Sequence, residues 1–447
     1  MIKKIQQDFS YYSHEFKDNY RKGVHRLRTI LASRAQAQAF VSNAGGTAVV
    51  LGYEPETPDK NAQELYALLA ASPYIDDAVQ TFLGSIYEAG AESQDAMYSD
   101  SARCLEILHD PVMSRAAGAG TVSAGKWIAA LAGQSCNLYR DMNAVAASDI
   151  AMTAVAASET AMEAVISGTI ALNAVAASKT AMTAVAANET AMAAVAASQV
   201  AMAAVAASQV AVAAIVKSPV AMAAMWRSDT AIKALQANAT AWKTFTGASS
   251  AVMGKTVAIL ANLDPSGYAD MTAIAASQVA MTAIIGNPTA LNAVVTSQVA
   301  MAAVAASAVA LNAICKNATA RSAFIGSSYR DTYYSKILSS LQNTAYFTVV
   351  INAGAMTNTT SLLYYNGTKQ AVSTALSADD SFILIPTLQS YNSSSYCYVY
   401  DLQTGSTIAH YTHDRLTTAN LVIPGGVRAS NIYGGSGHTT YYVFKAR

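Results

Sequence analysis

MTAVAAS at residues 152–158, MTAVAAN at 182–188 and MAAVAAS at both 192–198 and 202–208 are versions of one ten-residue phrase. The phrase recurs from about residue 141 to 246, shifts by one position near Asp264-Pro265 and continues to about residue 327. Self-similarity at a fixed period indicates an array of equivalent structural units. Such arrays usually act as spacers or extended surfaces, so the pattern predicts architecture more directly than chemistry.

Each unit carries two large apolar residues three positions apart, as in Met152/Val155 and Leu172/Val175. This spacing places both side chains on one face of a helix, and the Ala before each Met joins that face. Ala is also the strongest helix former. The variable positions of the unit are expected to face solvent: Thr153, Glu163, Asn173 and Lys233.

Ser or Asn recurs once in every unit and decides between two helical models. A continuous helix would need about 3.3 residues per turn, tighter than the usual 3.6, whereas a string of two-turn helices would restart at each Ser or Asn, which are preferred N-cap residues. Pro follows at Ser218-Pro219 and Asn287-Pro288, and Pro is favourable at the first helical position but disruptive inside a helix. The same pairing at Ser72-Pro73, Asp110-Pro111 and Asp264-Pro265 predicts further helix starts. The expected caps of the array are Ser148, Ser158, Ser178, Asn188, Ser198, Ser208, Ser218, Ser228, Asn238, Ser277, Asn287, Ser297, Ser307 and Asn317.

One such unit is too short to be stable alone, because the two apolar side chains it buries do not offset the entropy of ordering ten residues. The units must therefore stack, with Ala allowing close approach. The predicted fold class is mainly α: an elongated solenoid of short, Ser/Asn-capped helices with a thin Met/Val/Ile core. The Met column is interpreted as core rather than as a metal or cofactor site, because Leu, Ile, Val and Trp replace Met there.

The composition excludes several classes of protein. The formal net charge is zero and only 13% of residues are charged, so a basic nucleic-acid-binding surface is not expected. The four cysteines have no CxxC spacing, which favours buried thiols over a disulfide framework or zinc site. The N-terminal residues lack the apolar segment of a secretory signal, and the periodic Ser and Gln argue against a membrane-spanning helix at 191–216.

The flanking segments give the predicted domain organisation. Residues 1–60 form an N-terminal helical attachment or cap region, 61–140 are degenerate helical repeats, 141–330 are the decapeptide-repeat shaft, and 340–447 are a β-sandwich-like tip domain. The last assignment depends on short runs rich in β-branched and aromatic residues, such as YFTVVINA, SFILIPTL and YYVFKAR, separated by turn signals. Runs of this kind are typical of an antiparallel all-β domain.

Tyrosine is dense in this C-terminal segment, and tyrosine is favoured in recognition surfaces. About half of the tyrosines could simply cover the sheet, while others could form a binding face on the loops. The predicted binding residues are Tyr391, Tyr396, Tyr398, Tyr411, Tyr433 and His438.

Two patterns suggest chemistry only weakly. Residues 120–126, GTVSAGK, match the start of a phosphate-binding loop. Trp127 stands where that motif has the Ser or Thr that reaches magnesium. A turn between helices is therefore expected here. His410, His413, Asp414 and His438 could bind a metal or act as acid and base, yet no nucleophile motif accompanies them. No catalytic residue, metal or cofactor is predicted.

The repeat phrase AMxAVAAS resembles tracts in tail-fibre and other virion structural proteins of tailed bacteriophages. The resemblance covers about residues 141–327 and agrees with a layout of attachment region, shaft and β-rich tip. It implies that the N-terminal region binds other virion proteins and that the tip binds a bacterial surface receptor, either glycan or protein. It also implies a homotrimer, which a solenoid with its own core does not require, so monomer and trimer both stay open.

The expected function is therefore that of a non-enzymatic virion fibre, made in the host cytoplasm, that adheres to the host surface through its tip. The first alternative is a collar, whisker or connector protein whose tip binds another virion protein. A second alternative is a glycan-cleaving enzyme, which would need paired acids in a groove. The C-terminal segment offers Asp379-Asp380, Asp401 and Asp414 for that role.

Overall fold

The computed structural model describes residues 20–41, 50, 68–69, 71–86, 94–355, 380–389, 396–401, 407–412, 416–425, 427–430 and 440–447. The chain divides into two compact units, Met1–Ala241 and Trp242–Arg447. Both contain arrays of short helices, and the second also contains the antiparallel strands. The predicted fold class, a mainly α solenoid of capped helices followed by antiparallel β structure, is confirmed.

In its described residues, the first unit consists of helices. Those before the decapeptide array are α1 (Tyr20–Leu31), α2 (Arg34–Val41), α3 (Ile75–Ile86), α4 (Gln94–Tyr98), α5 (Ser101–His109), α6 (Pro111–Ala117) and α7 (Thr121–Leu131), followed by a 3₁₀ turn at Cys136–Leu138. The array helices are α8 (Met142–Ala147), α9 (Asp149–Ala157), α10 (Glu159–Ser167), α11 (Thr169–Ala177), α12 (Lys179–Ala187), α13 (Glu189–Ala197), α14 (Gln199–Ala207), α15 (Gln209–Ile215), α16 (Pro219–Arg227) and α17 (Asp229–Ala237).

Helix α18 (Ala239–Thr246) spans the division between the units. The helices of the second unit are α19 (Ser250–Leu260), α20 (Met271–Ala276), α21 (Gln278–Ile285), α22 (Pro288–Thr296), α23 (Gln298–Ala305), α24 (Ala308–Cys315), α25 (Ala318–Gly326) and α26 (Tyr334–Leu341), with 3₁₀ turns at Pro265–Gly267 and Asp331–Tyr333. The strands are β1 (Phe347–Ala355), β2 (Ser381–Gln389), β3 (Tyr396–Asp401), β4 (Thr407–Thr412), β5 (Leu416–Pro424), β6 (Val427–Ser430) and β7 (Thr440–Ala446).

Each predicted cap begins a new helix, which confirms the restarted-helix model. Ser178 is typical: its backbone is extended, and its Oγ accepts a hydrogen bond from the Ala181 amide at 3.2 Å. Six pairs of consecutive helices bend by 95° to 107° at these positions. No single helix in the described residues is long and apolar enough to cross a membrane, although those six bent pairs would qualify by length and composition.

Three helices complete one coil of the array, so that each helix packs on the helix three positions before it. In the first unit α12 packs on α9, α16 on α13 and α17 on α14, and in the second α24 packs on α21. Helices of nine residues make each side about 13 Å long. The chain bends by roughly 100° at each corner, and the packing of every third helix shows that it runs beside its earlier path after three helices.

The cap residues also connect successive coils. Ser178 Oγ donates to the carbonyl of Ala146, 32 residues earlier, at 2.5 Å, while accepting its own helix's amide. One hydroxyl thus satisfies two backbone groups that helix ends otherwise leave unpaired. Asn238 does the same with its amide, donating to Ala206 at 2.8 Å and accepting from Ala241 at 3.1 Å. We call this set of bonds the cap ladder; its other members with the same spacing are Ser208, Ser218, Ser228, Ser307 and Ser327.

The core lies inside the coils, as the periodicity predicts. Met152, Val155 and Ala151 are all fully buried, and the variable positions predicted to face solvent are exposed. Burying each large side chain contributes about 1.5–3 kcal/mol. Two members of the large apolar column depart from the pattern, because Ile232 and Trp242 are only half-buried.

Two of the predicted cap-Pro starts differ in detail. Ser72-Pro73 forms a turn in which Ser72 Oγ accepts the Tyr74 amide, and helix α3 begins two residues after Pro73. Asp264-Pro265 begins only a 3₁₀ turn, and the next α-helix starts after Asp270. Asp110 does cap a helix that begins at Pro111, accepting the Met113 amide at 2.9 Å.

The first array begins with α7 and the second with α19. The two arrays begin in the same way, which the decapeptide phrase does not reveal. Residues 250–277 repeat the pattern of 121–148: a helix with Gly-Lys in its second turn, a turn, Tyr-x-Asp-Met and a six-residue helix. Gly125 and Gly254 both pack against the backbone just before that helix, where a Cβ would lie 2.3 and 2.4 Å from main-chain atoms. Gly133 and Asn262 end the first helices with positive φ of 71° and 56°.

Two antiparallel sheets form the C-terminal part of the second unit. One has the strand order β1-β7-β2-β5 and the other β4-β3-β6. The non-sequential order means that β7, the last strand, pairs with both β1 and β2.

The four-stranded sheet packs on the last helices of the second array. Phe382 of β2 is fully buried, with its ring 5.8 Å from Phe324 of α25 and 6.2 Å from Phe347 of β1. Asn312 Nδ2 of α24 donates to the Tyr346 carbonyl at 2.7 Å. Asp331 Oδ1 accepts the Val422 amide of β5 at 3.1 Å. This sheet therefore shares a core with the helical array.

Candidate functional site

The segment that resembles a phosphate-binding loop is closed by a carboxylate from another helix. Gly120 precedes α7 in extended conformation, and Asp76 of α3 accepts the Ser123 amide at 3.0 Å as well as that of Val122. A Cβ at Gly120 would lie 2.0 Å from Asp76 Oδ1. Lys126, the residue that would reach a phosphate, is paired with Asp95. The turn between helices expected over residues 120–126 is therefore wrong for most of the segment, because the turn ends at Gly120 and Thr121–Lys126 already belong to α7.

Burial makes the Asp76 carboxyl a weaker acid than usual. Desolvation is the largest influence and raises the pKa of this carboxyl above its ordinary value, although the two amides partly oppose the shift. The neighbouring carboxylates of Asp77 and Asp141 raise the pKa further. Asp76 is therefore a structural cap whose ionisation is costly rather than an open anion-binding site.

The predicted binding residues are only partly within the described structure. Tyr396 and Tyr398 lie on β3, and Tyr411 lies on β4. In the register of these strands Tyr398 is paired with His410, and Tyr411 with Cys397. The structure thus brings three of the six residues to one strand pair, while Tyr391, Tyr433 and His438 lie outside the described residues.

The acidic and histidine candidates are not assembled in the described part of the chain. Asp380 forms an ion pair with Lys445 across 3.7 Å, and Asp401 is paired with Val427 at the end of β3. His413, Asp414 and Asp379 lie outside the described residues. Among the residues that are described, no group of three or more His, Cys, Asp or Glu could hold a metal ion.

Three cysteines are buried free thiols, as their spacing predicts: Cys104, Cys136 and Cys315. Burial raises the pKa of Cys104 to about 12 and raises the pKa of Cys315 as well. A thiol with a raised pKa carries little thiolate and reacts slowly. These residues are parts of the core.

A feature that sequence reasoning missed is a groove at the same place in each array. The first groove, of about 650 Å³, lies between α10 and α13, and the second, of about 420 Å³, lies between α22 and α25. Many of their lining residues correspond at a spacing of 129 positions, as in Met162 with Leu291 and Ile166 with Val295. The matching sequences at the starts of the two arrays are the signal that would have placed these groove positions in correspondence.

The chain was compared with models of known protein families and with curated proteins, and neither comparison found a match.

Proposed function

We propose that this chain is a structural fibre protein of a bacteriophage virion, with a helical shaft and a C-terminal β region that adheres to the host cell. The observation that carries the proposal is the cap ladder. Consecutive units such as those of Ser208, Ser218 and Ser228 bond to the preceding coil in the same way, so a shaft can be lengthened by repeating the unit. The resemblance of the AMxAVAAS phrase to tracts in phage virion proteins supports the same conclusion.

In this proposal the N-terminal region binds other virion proteins and the C-terminal tyrosines contact a bacterial surface receptor. The chain acts without catalysis, cofactor or membrane insertion. Solenoid coils carry their own core, so a monomer would suffice for the shaft, whereas the resemblance favours a trimer. Sedimentation equilibrium of the full chain distinguishes the two, because the mass would be one or three times 46.5 kDa.

Cell binding by the labelled full chain tests the adhesive role. We expect saturable binding to some strains of a bacterial panel, competed by unlabelled protein. The variant Tyr396→Ala/Tyr398→Ala should lose binding, while Tyr268→Ala, a half-buried tyrosine of the second helical array, should retain it. Equal binding by both variants would contradict the assignment of the tip.

Failure of the folded chain to bind any strain would favour the alternative, a collar, whisker or connector protein whose β region binds another virion protein. The shared core between the four-stranded sheet and α25 supports this reading, since it suits a fixed joint. Shortening of capsular polysaccharide by the chain would instead favour a glycan-cleaving enzyme.

A further inference from the structure

The groove between α10 and α13 is apolar at its base and acidic at its rim. Met162, Ile166 and Ala191 line it, and the exposed carboxylates of Glu159 and Glu163 stand at its edge. Its volume of about 650 Å³ falls within the range of ligand-binding clefts. The whole groove belongs to the first unit.

The cap ladder is interrupted along this groove. Ser208, Ser218 and Ser228 each donate to a carbonyl 32 residues earlier. Within the described structure, Asn188 and Ser198 accept only the amide of their own helix. The corresponding carbonyls, those of Ala156 and Ile166, receive no bond from them.

The second array contains the equivalent groove with one ladder bond in place. Ser327, which corresponds to Ser198, donates to the Val295 carbonyl at 2.6 Å, and that groove is smaller, about 420 Å³. Its rim carries Pro288 and Asn292 in place of the two glutamates. The first groove is therefore the larger and the more acidic of an equivalent pair.

Two features of the first groove indicate what kind of ligand would fit it. Asn188 and Ser198 carry donor groups that do not bond to the carbonyls of Ala156 and Ile166, and all four residues line the groove. A bound peptide could pair with such groups through the carbonyls and amides of its own backbone. The glutamates complement Lys or Arg, whose aliphatic stems can lie along an apolar base while the charged head stays in water. A third glutamate, Glu189, is already paired with Arg227 at 3.1 Å.

We propose that this groove is a docking site for a cationic amphipathic segment of a partner protein, held by apolar side chains in the base and by Lys or Arg at Glu159 and Glu163. The site does not depend on the β region or on the proposed adhesion. It would make the first array a surface for assembly as well as a spacer.

Fluorescence polarisation with the full chain tests the site. The probe is a fluorescein-labelled decapeptide of alternating Leu and Lys, compared with Leu-Glu and Ser-Lys peptides and with dodecylamine as a competitor. We expect the Leu-Lys peptide alone to bind, more weakly at high salt. Glu159→Gln/Glu163→Gln should weaken binding roughly tenfold, as expected for two exposed ion pairs.

The matched control is Asp149→Asn/Asp229→Asn, which removes two first-turn carboxylates of the same array that do not line the groove. It should bind like the wild type, and thermal melting should show that both variants are folded. The proposal fails if the wild type does not bind the Leu-Lys peptide, if both double variants weaken it equally, or if Ser-Lys binds as tightly. Competition by dodecylamine at the peptide's own affinity would assign the groove to a small amphiphilic cation instead.

Discussion

At the scale of single residues, the array depends on side chains that both accept and donate. Ser228 Oγ accepts the Ala231 amide at 3.2 Å and donates to the Ala196 carbonyl at 2.5 Å. An Asp in its place would cap the helix equally well but could not donate. Asp is used at Asp141 and Asp270, where the carboxylate accepts an amide of its own helix and no bond donated by the cap is needed.

Removing a ladder hydroxyl should cost more than removing a cap alone. Ser228→Ala loses the cap, worth about 0.5–2 kcal/mol, and leaves the Ala196 carbonyl unpaired, which costs about 1–3 kcal/mol more. Ser198→Ala loses only the cap. Urea denaturation of both variants measures the difference, and equal losses of stability would show that the ladder bonds contribute nothing.

Asp76 predicts a pH dependence of stability. Its raised pKa means that the folded state holds the proton more tightly than the unfolded state, so stability falls as pH rises from the ordinary value of 3.8 through the raised pKa. Asp76→Asn keeps an oxygen that accepts the Ser123 amide and removes the buried charge. We expect this variant to match or exceed wild-type stability at neutral pH, with the advantage disappearing in acid.

Asp76→Ala is the control, since it leaves the amides of α7 without their partner and should lose about 1–3 kcal/mol. Denaturant titrations across the pH range compare the three proteins. A wild type that gains stability over Asp76→Asn as pH rises would contradict the assignment.

At the scale of the element, each array is started by a longer helix that holds the next short one against its side. Helix α7 ends where the chain reverses direction. There the Gln134 amide bonds to the Ala129 carbonyl at 2.8 Å, and Gly133 has positive φ. The equivalent bond in α19 joins Leu263 to Ala258 at 2.8 Å. The chain then returns past a glycine of the same helix. Two copies of one local design thus begin the two arrays.

The glycine contacts should be intolerant of a single methyl group. At Gly125 a Cβ would meet the Asp141 and Met142 backbone at 2.3–2.7 Å, and main-chain atoms cannot move aside as a flexible side chain can. We expect Gly125→Ala to destabilise the first array by about 1–3 kcal/mol or more. Gly267→Ala, where nothing lies within 4 Å of the added atom, should be nearly neutral in thermal unfolding. Similar melting of both variants would contradict the packing.

At the scale of the whole molecule, the chain joins two kinds of structure by different means. Within each array, neighbouring coils repeat the same contacts. Where the second array meets the four-stranded sheet, the contacts are made once only, by aromatic rings and by the carboxylate of Asp331. The four-stranded sheet is therefore continuous in its core with the array that carries it.

Phe382→Ala should loosen this junction. Its ring is fully buried between Phe324 and Phe347, and a truncation of this kind costs about 3–5 kcal/mol. We expect limited proteolysis to cut the C-terminal strands early while most of the helical circular dichroism persists. Val349→Ala, a partly exposed position on β1, should resist proteolysis like the wild type; equal sensitivity of the two variants would contradict the shared core.

The sequence by itself determined the local structure of the arrays. Ser and Asn caps, the Pro that follows two of them and the Met-x-x-Val spacing act within one ten-residue unit, so helix starts and the buried face could be predicted. Tertiary structure alone decided that three helices make a coil, because the corner angle depends on how coils pack. It also decided which caps reach a carbonyl 32 residues earlier and where the grooves lie. The sequence left the strand order undecided because no local pattern encodes pairing between residues far apart in the chain. Strand β7 pairs with β1 and β2 through such contacts.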